Sequence, residues 1–330
     1  MQLARNAALL QGVPACMLLP KPRGPLSQSL FQALREWPGS APAWPRAADD
    51  EDAAVALWAA YELSYRGFDD VDDGLEWEPG VLELRQRLER GLEGRLRDRY
   101  RPPETTEPFA EALFDYIAGH DGHSLAAHVQ RNATDEQVLD LMRLRSIYHL
   151  KEADPTAWMV SRLPVAPKAA LVELLYDEYG AGDPNLLHSH LFAKGMEAAG
   201  LRAEYGAYVD EVPLEVLEQN NAMSLFGLHR RWRGAALGHL AAFEATSSLP
   251  SRRMAQGLER LGLAPELVGY YTEHIEADAV HEQLAVRTIC GALVETEPAL
   301  ADDVFFGAFT CLDLEDRLAT RLLEHWRTPA

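Results

Sequence analysis

The sequence predicts an all-α protein. Apolar residues recur at the 3.6-residue helical period, strand-like alternation is scarce, and capping residues with Pro and Gly punctuate the periodic segments. Segment 49–65 repeats Ala54, Val55, Leu57, Trp58, Tyr61 and Leu63, and segment 81–100 lines Val81, Leu84, Leu88 and Leu92 along one side of a highly charged helix. Two short helices are expected over 107–119 and 124–132. Thr134 and Gln137 make a capping box for a helix whose buried face is Val138, Leu141, Met142, Ile147, Tyr148 and Leu150, and which runs into Glu152. Asp154–Pro155 restarts the chain as N-cap and proline at N1. A helix from Pro167 reaches Glu178 and is broken by Gly180 and Gly182, and Asp183–Pro184 starts the next, which carries His188, His190 and Phe192. Segment 212–250 reads as a long helical stretch with a break near Gly227 or Gly234, 265–295 as the cleanest long helix, and 302–326 as the closing one. Lys21–Gly24 and Pro38–Pro45 read as loops. The Arg- and Pro-rich stretch 101–108 separates an N-terminal helical portion, 1–105, from the remainder, 106–330.

With 330 residues the chain can bury a substantial core, and 47% apolar with 25% charged residues is ordinary globular composition. The net charge of −20 excludes a basic stripe for phosphate neutralisation and disfavours an anionic membrane surface. Cys16, Cys290 and Cys311 are the only cysteines, an odd number without a CxxC pair, which suits a reducing cytoplasm. Residues 1–20 have an apolar tint interrupted by Gln11, Gly12 and Pro14, so no signal peptide is read there, and no run approaches the roughly 20 apolar residues of a membrane span. The expectation is a soluble, cytoplasmic protein.

The sharpest chemical signal is His274, Asp278 and His281. Their i, i+4, i+7 spacing sets three metal-binding side chains on one narrow face of the 265–295 helix, beside apolar Leu267, Tyr271 and Ile289. Buried titratable groups must be paired, protonated or metal-bound. Read alone, the trio also suits a solvated polar face. Glu178 and His188 can converge across the corner that Gly180 and Gly182 permit, or simply flank an ordinary helix–loop–helix turn. Glu152 alone reads as a surface glutamate. Together the set is three imidazoles and three carboxylates without a thiolate, which favours iron or manganese over structural zinc, and six ligands suit two ions better than one. No Glu-x-x-His pair of the ferritin type is present, only Asp278-x-x-His281.

The order Glu152, Glu178, His188, then His274-x3-Asp278-x2-His281 resembles the haem-oxygenase-like diiron oxidases, the iron-containing redox enzymes. The stretches YHLKEADPTAW from Tyr148, DEYGAGDPNLLHSHLF from Asp177 and IEADAVHEQ from Ile275 are similar to that family's signature segments, over about the last two-thirds of the chain. The resemblance implies a haem-oxygenase-like helical bundle with an N-terminal helical extension. It implies Glu152, Glu178, His188, His274, Asp278 and His281 as metal ligands, with His190 an alternative to His188. Asn185 stands where some members add a carboxylate. It also implies two Fe(II) ions or an Mn/Fe pair, O2 as co-substrate and an external reductant. The reaction would be desaturation, C–C fragmentation or N-oxygenation of an amino acid, amine or fatty acid in specialised metabolism. A different class fits the same residues: a non-catalytic helical protein that binds a ligand and uses the His/Asp/Glu set as a polar core network.

Glu244, in the apolar run after Leu240, is the candidate catalytic residue: it can contact a substrate amine, act as a seventh ligand or pair with a core arginine. Arg230, Arg231 and Arg233 can hold a substrate carboxylate, or two of the three can be solvated, since adjacent helical residues point in different directions; the expected partner is a small molecule such as an amino acid or other small acid. A homodimer is the default assembly. His120, His123, His149, His229 and His239 read as surface or satisfied histidines.

Overall fold

The computed structural model describes residues 17–327, with backbone alone at 276–280, and no strand occurs among the described residues. The N-terminal portion contains α1 (Pro25–Arg35), α2 (Asp50–Glu62) and α3 (Pro79–Arg99). There follow α4 (Phe109–Ala118), α5 (Leu125–Arg131), α6 (Asp135–His149), the single turn α7 (Asp154–Ala157), α8 (Val165–Glu178), α9 (His188–Ala198) and α10 (Leu214–Leu228). The chain ends with α11 (Arg233–Ala245), α12 (Ser248–Leu261), α13 (Pro265–Gln283), a π-helical segment (Leu284–Gly291), α14 (Ala292–Thr296) and the long α15 (Ala301–Arg327).

Local chemistry sets these boundaries. The Asp49 carboxylate accepts from Asp52 N and three acidic residues follow in the first turn, complementing the dipole of α2. The capping box expected at Thr134 and Gln137 opens α6. Gly262, at φ 67°, closes α12. The cores are shared across the chain: Leu57, Tyr61, Leu92 and Leu96 of the N-terminal helices lie in one apolar cluster with Phe226, Leu237 and Phe306.

The tightest crossing is between α11 and α15. A Cβ at Gly238 would stand 1.9 Å from Val304 O, and one at Gly307 would stand 1.9 Å from Ala235 O. Only glycine lets the two backbones approach this closely. The α11 helix carries Glu244 near its end, so the crossing also places that carboxylate.

Several boundaries differ from expectation. The helix with His188 begins at His188 rather than at Asp183, because Asp183 spends its carboxylate on Asn185 N in a turn instead of on a helix N-terminus. The 212–250 stretch divides at His229, near Gly227 as expected, where the backbone is extended (φ −109°, ψ 119°), and again, beyond expectation, between Ala245 and Ser248. Pro250 lies in the first turn of α12, where its missing N–H costs nothing, so it marks a beginning and not an end. Helix α1 adds to the expected set, although Pro25 at its first position and the buried stripe Leu26, Leu30, Phe31 and Leu34 are a helical signal. The long 265–295 helix widens to π geometry three residues after His281.

Candidate metal centre

Four elements deliver the candidate ligands. Glu152 follows α6, Glu178 is the last residue of α8, His188 is the first of α9, and His274 and His281 project from α13. The corner between α8 and α9 uses left-handed backbone at Gly180, Ala181 and Gly182 (φ 66°, 53° and 85°). At Gly180 a Cβ would stand 2.6 Å from Leu186 C and Leu187 N, so glycine permits the fold-back that sets His188 beside Glu178.

Two groups result. Ligand-type atoms of Glu152, His188 and His274 lie within 4.8 Å of one another, and so do those of Glu178, Glu244 and His281. Glu178 faces both: its Oε2 is 3.1 Å from His188 Nδ1 and its Oε1 is 3.8 Å from His281 Nδ1. The His188 and His274 rings are 4.5 Å apart. Glu152, His188, His274, His281 and Glu244 are all buried. The side chain of Asp278 lies outside the described residues.

His274 Nδ1 lies 2.8 Å from Tyr270 O, so that nitrogen carries the proton and Nε2 faces Glu152 at 3.5 Å. His281 Nε2 lies 3.2 Å from Asp177 Oδ2, which turns Nδ1 toward Glu244 Oε2 at 3.5 Å and toward Glu178. The Tyr270 hydroxyl donates to Glu152 Oε1 at 2.7 Å and also lies 2.8 Å from His149 Nδ1. Asp177, Tyr270 and His149 orient the candidate ligands without belonging to either group. Their sequence signals are weak: Tyr270 precedes His274 by one helical turn, and Asp177 adjoins Glu178.

The residues fit a metal. Among the described residues Glu152 Oε2 is buried without a hydrogen-bond partner, and the buried His188 Nδ1 and His281 Nδ1 face carboxylate oxygens at 3.1 Å and 3.5 Å without hydrogen-bond geometry. Orphaned buried polar atoms are costly unless something satisfies them. A set of imidazole and carboxylate donors suits iron or manganese.

Protonation tells the same story. Burial opposes charge on His274, but the hydrogen bond and charge of Glu152 prevail and lift its pKa to about 10. Burial opposes charge on His281 too, and Glu244 with Asp177 lifts it to about 9. Burial pushes the Glu152 carboxyl up, yet His149 and His274 hold it well below the usual carboxylate range. In metal-free protein these raised imidazoles stabilise the fold fully below their ordinary value of 6.5, and the contribution is lost as pH rises toward 9 and 10. Urea unfolding of metal-free protein across that window should show falling stability; a flat profile would contradict the ion pairs. Metal uptake must displace the same protons, so affinity should rise with pH.

A cavity of about 370 Å³ lies next to the centre: Tyr148 and His149 line it, His149 Nδ1 stands 3.3 Å from Glu152 Oε1, and His123 and Asp316 belong to its wall. Leu141, Met254 and Phe243 give it an apolar lining. Arg145 and Glu315 form a bidentate ion pair in its wall, and Gln219 Nε2 donates to Glu315 at 3.0 Å. His239 also faces the cavity, and burial lowers its pKa to about 4, so it is neutral at pH 7.

Other sequence candidates fall elsewhere. His190 and Asn185 are exposed, and the Asn185 amide donates to Asp183. Arg231 pairs with Glu93 at 2.7 Å, Arg233 pairs with Glu297, and none of Arg230, Arg231 and Arg233 lines the cavity. The substrate-carboxylate role expected of that cluster is therefore not supported: helical spacing sends its members in different directions, toward carboxylates on other helices. His229 is satisfied by Glu89 at 2.9 Å. Glu244, expected as catalytic, stands in the group with Glu178 and His281.

The helical fold and a buried nitrogen–oxygen donor set define a metalloprotein of the all-α class. Residues 139–316 match the family of iron-containing redox enzymes, a span that holds every candidate ligand, and the chain belongs to that family. No curated protein matches the chain. The protein is an iron-dependent oxidoreductase, and among its described residues no helix is long and apolar enough to cross a membrane.

Proposed function

We propose that the protein is a non-haem diiron oxidase that uses O2 to oxidise a small organic substrate in the cavity beside Tyr148. The observation that carries this reading is Glu178, whose two oxygens face histidines of two separate donor groups. A carboxylate so placed can bridge two ions. Glu152, His188 and His274 would hold one, Glu244 and His281 the other, with Asp278 supplying a further carboxylate from the same helix face. When bound, the iron pair supplies electrons for O2 reduction, and an external reductant restores them.

The chain's own residues do the rest. Tyr270 and Asp177 hold Glu152 and His281 in one orientation each, so the donor set is organised before metal arrives. Tyr148 stands between the carboxylates and the cavity; burial and the nearby charges of Glu152 and Glu178 push its hydroxyl pKa far up, so it keeps its proton at the substrate's edge. Leu141, Phe243 and Met254 exclude water around the substrate body. A cavity of about 150 Å³ holds benzene, so 370 Å³ admits a substrate larger than the smallest amino acids, with an extended apolar part. Replacing His239, the neutral imidazole in the wall, with leucine should raise KM roughly tenfold, as expected for one lost polar contact, while iron content stays at the wild-type level. An unchanged KM across a panel of acids, amines and amides would remove His239 from substrate binding.

The test of the reading itself is anaerobic Fe(II) titration followed by mixing with O2. About two irons per chain and a transient visible absorption support it. One iron per chain, or iron that does not consume O2, overturns it and returns attention to a ligand-binding role for the polar core.

A further inference from the structure

We propose that the buried Lys151–Glu62 ion pair is a positioning device that aims Glu152 at the metal centre, so that a part of the chain outside the matched family region helps to build the site. The proposal rests on the reading of Glu152 as a ligand.

Lys151 and Glu152 are adjacent, both are buried, and they point to different places. Lys151 Nζ reaches Glu62 Oε1 at 2.6 Å, while Glu152 reaches Tyr270 at 2.7 Å. The divergence is made at Glu152, whose φ is +30°. Left-handed backbone at a residue with a side chain costs about 1–2 kcal/mol, and glycine or asparagine is usual just past a helix end. Such a conformation persists only where its surroundings over-determine it.

Helix α2 and the residues after it supply that constraint. Tyr205 Oη donates to the same Glu62 oxygen at 2.8 Å, and the Tyr65 ring lies 4.3 Å from Lys151 Nζ. Arg66 Nη2 donates to Leu150 O at 3.0 Å and stands 4.0 Å from Asp154 Oδ2. Residues 150, 151 and 154 are thus gripped from one side, and Glu152 is left to turn to the other. Glu62 is the last residue of α2, where the helix dipole favours a nearby cation.

Stability alone does not explain the pair. The two side chains are 1% and 0% exposed, and Glu62 Oε2 has no hydrogen-bond partner among the described residues. Fully buried ion pairs are commonly no more stable than apolar residues of similar volume. What an apolar pair cannot do is fix the direction in which residue 151 leaves the backbone, and with it the direction of residue 152.

The double variant Lys151→Met with Glu62→Met separates the two roles. Glu62→Gln alone, which strands a buried lysine, should lower the unfolding temperature of metal-free protein; the double variant should restore it. In a crystal structure of the metal-free double variant, residue 152 should return to right-handed backbone and its carboxylate should leave Tyr270. In Fe(II) titration one of the two irons should bind ten- to a hundred-fold more weakly, the usual effect of removing an outer partner. A double variant that keeps positive φ and the Glu152–Tyr270 hydrogen bond would overturn the proposal. Wild-type protein that binds no iron would overturn the metal reading instead, and the crystal comparison would still decide the positioning role.

Discussion

Replacing His274 with alanine is expected to reduce bound iron from about two per chain to about one and to lower O2-dependent turnover by more than about 100-fold. The imidazole is one of the three donors in its group, with Glu152 and His188, and its ring is held in one orientation by Tyr270 O. The loss also strands Glu152, whose depressed pKa depends on His149 and His274. With one cationic partner gone, a buried carboxylate must take up a proton or keep an uncompensated charge. Iron analysis after anaerobic loading and gel filtration, with oxygen-electrode turnover, measures both effects. Full iron content in the variant would show that His274 is a structural member of a polar core. The matching control is His190→Ala: that side chain, two residues after His188, is exposed, so iron and turnover should match wild type.

The second large effect concerns stability. Gly307→Ala is expected to destabilise the protein by about 3 kcal/mol or more, at the upper end of overpacking costs. The added Cβ would meet Ala235 backbone at 1.9 Å for O and 2.6 Å for C, and no flexible side chain is available to yield. Gly238→Ala meets the same obstacle from the other helix, against Val304 O at 1.9 Å. The two substitutions act on one crossing, so their combined cost should be less than the sum. Because α11 also carries Glu244, a forced separation of the helices should weaken iron binding as well as folding. Urea unfolding with the linear extrapolation measures the first effect, and Fe(II) titration of the folded fraction the second. An unchanged unfolding midpoint in Gly307→Ala would mean the crossing is looser than described.

The all-α class and the candidate site were legible to different depths. Periodicity and caps give α6 because Thr134 and Gln137 sit at the right spacing ahead of an apolar stripe, and such signals are local. The placing of His274 and His281 at the centre is legible because a helix converts spacing directly into direction. The start of α12 just before Pro250 was not, since a proline reads the same way before or after a helix end until neighbours fix which it is. The left-handed backbone at Glu152 had no local sign at all: a glutamate is a poor residue for that conformation, and only the contacts from Glu62 and Arg66, far away in sequence, make sense of it. Asp177 and Tyr270 were only faintly legible for a similar reason, because an outer partner is defined by what it touches.

Three helices, α6, α8 and α11, run toward the centre with their C-terminal ends, and one, α9, starts there at His188. Aligned peptide dipoles place roughly half a negative charge at each C-terminal end and half a positive charge at an N-terminal one, so the backbone leaves a net negative potential at a spot where Glu152, Glu178 and Glu244 already gather. A potential of that sign stabilises a trivalent cation more than a divalent one. The scaffold should therefore pull the reduction potential of a resident iron downward, making the ferrous ion a stronger electron donor before any ligand is altered.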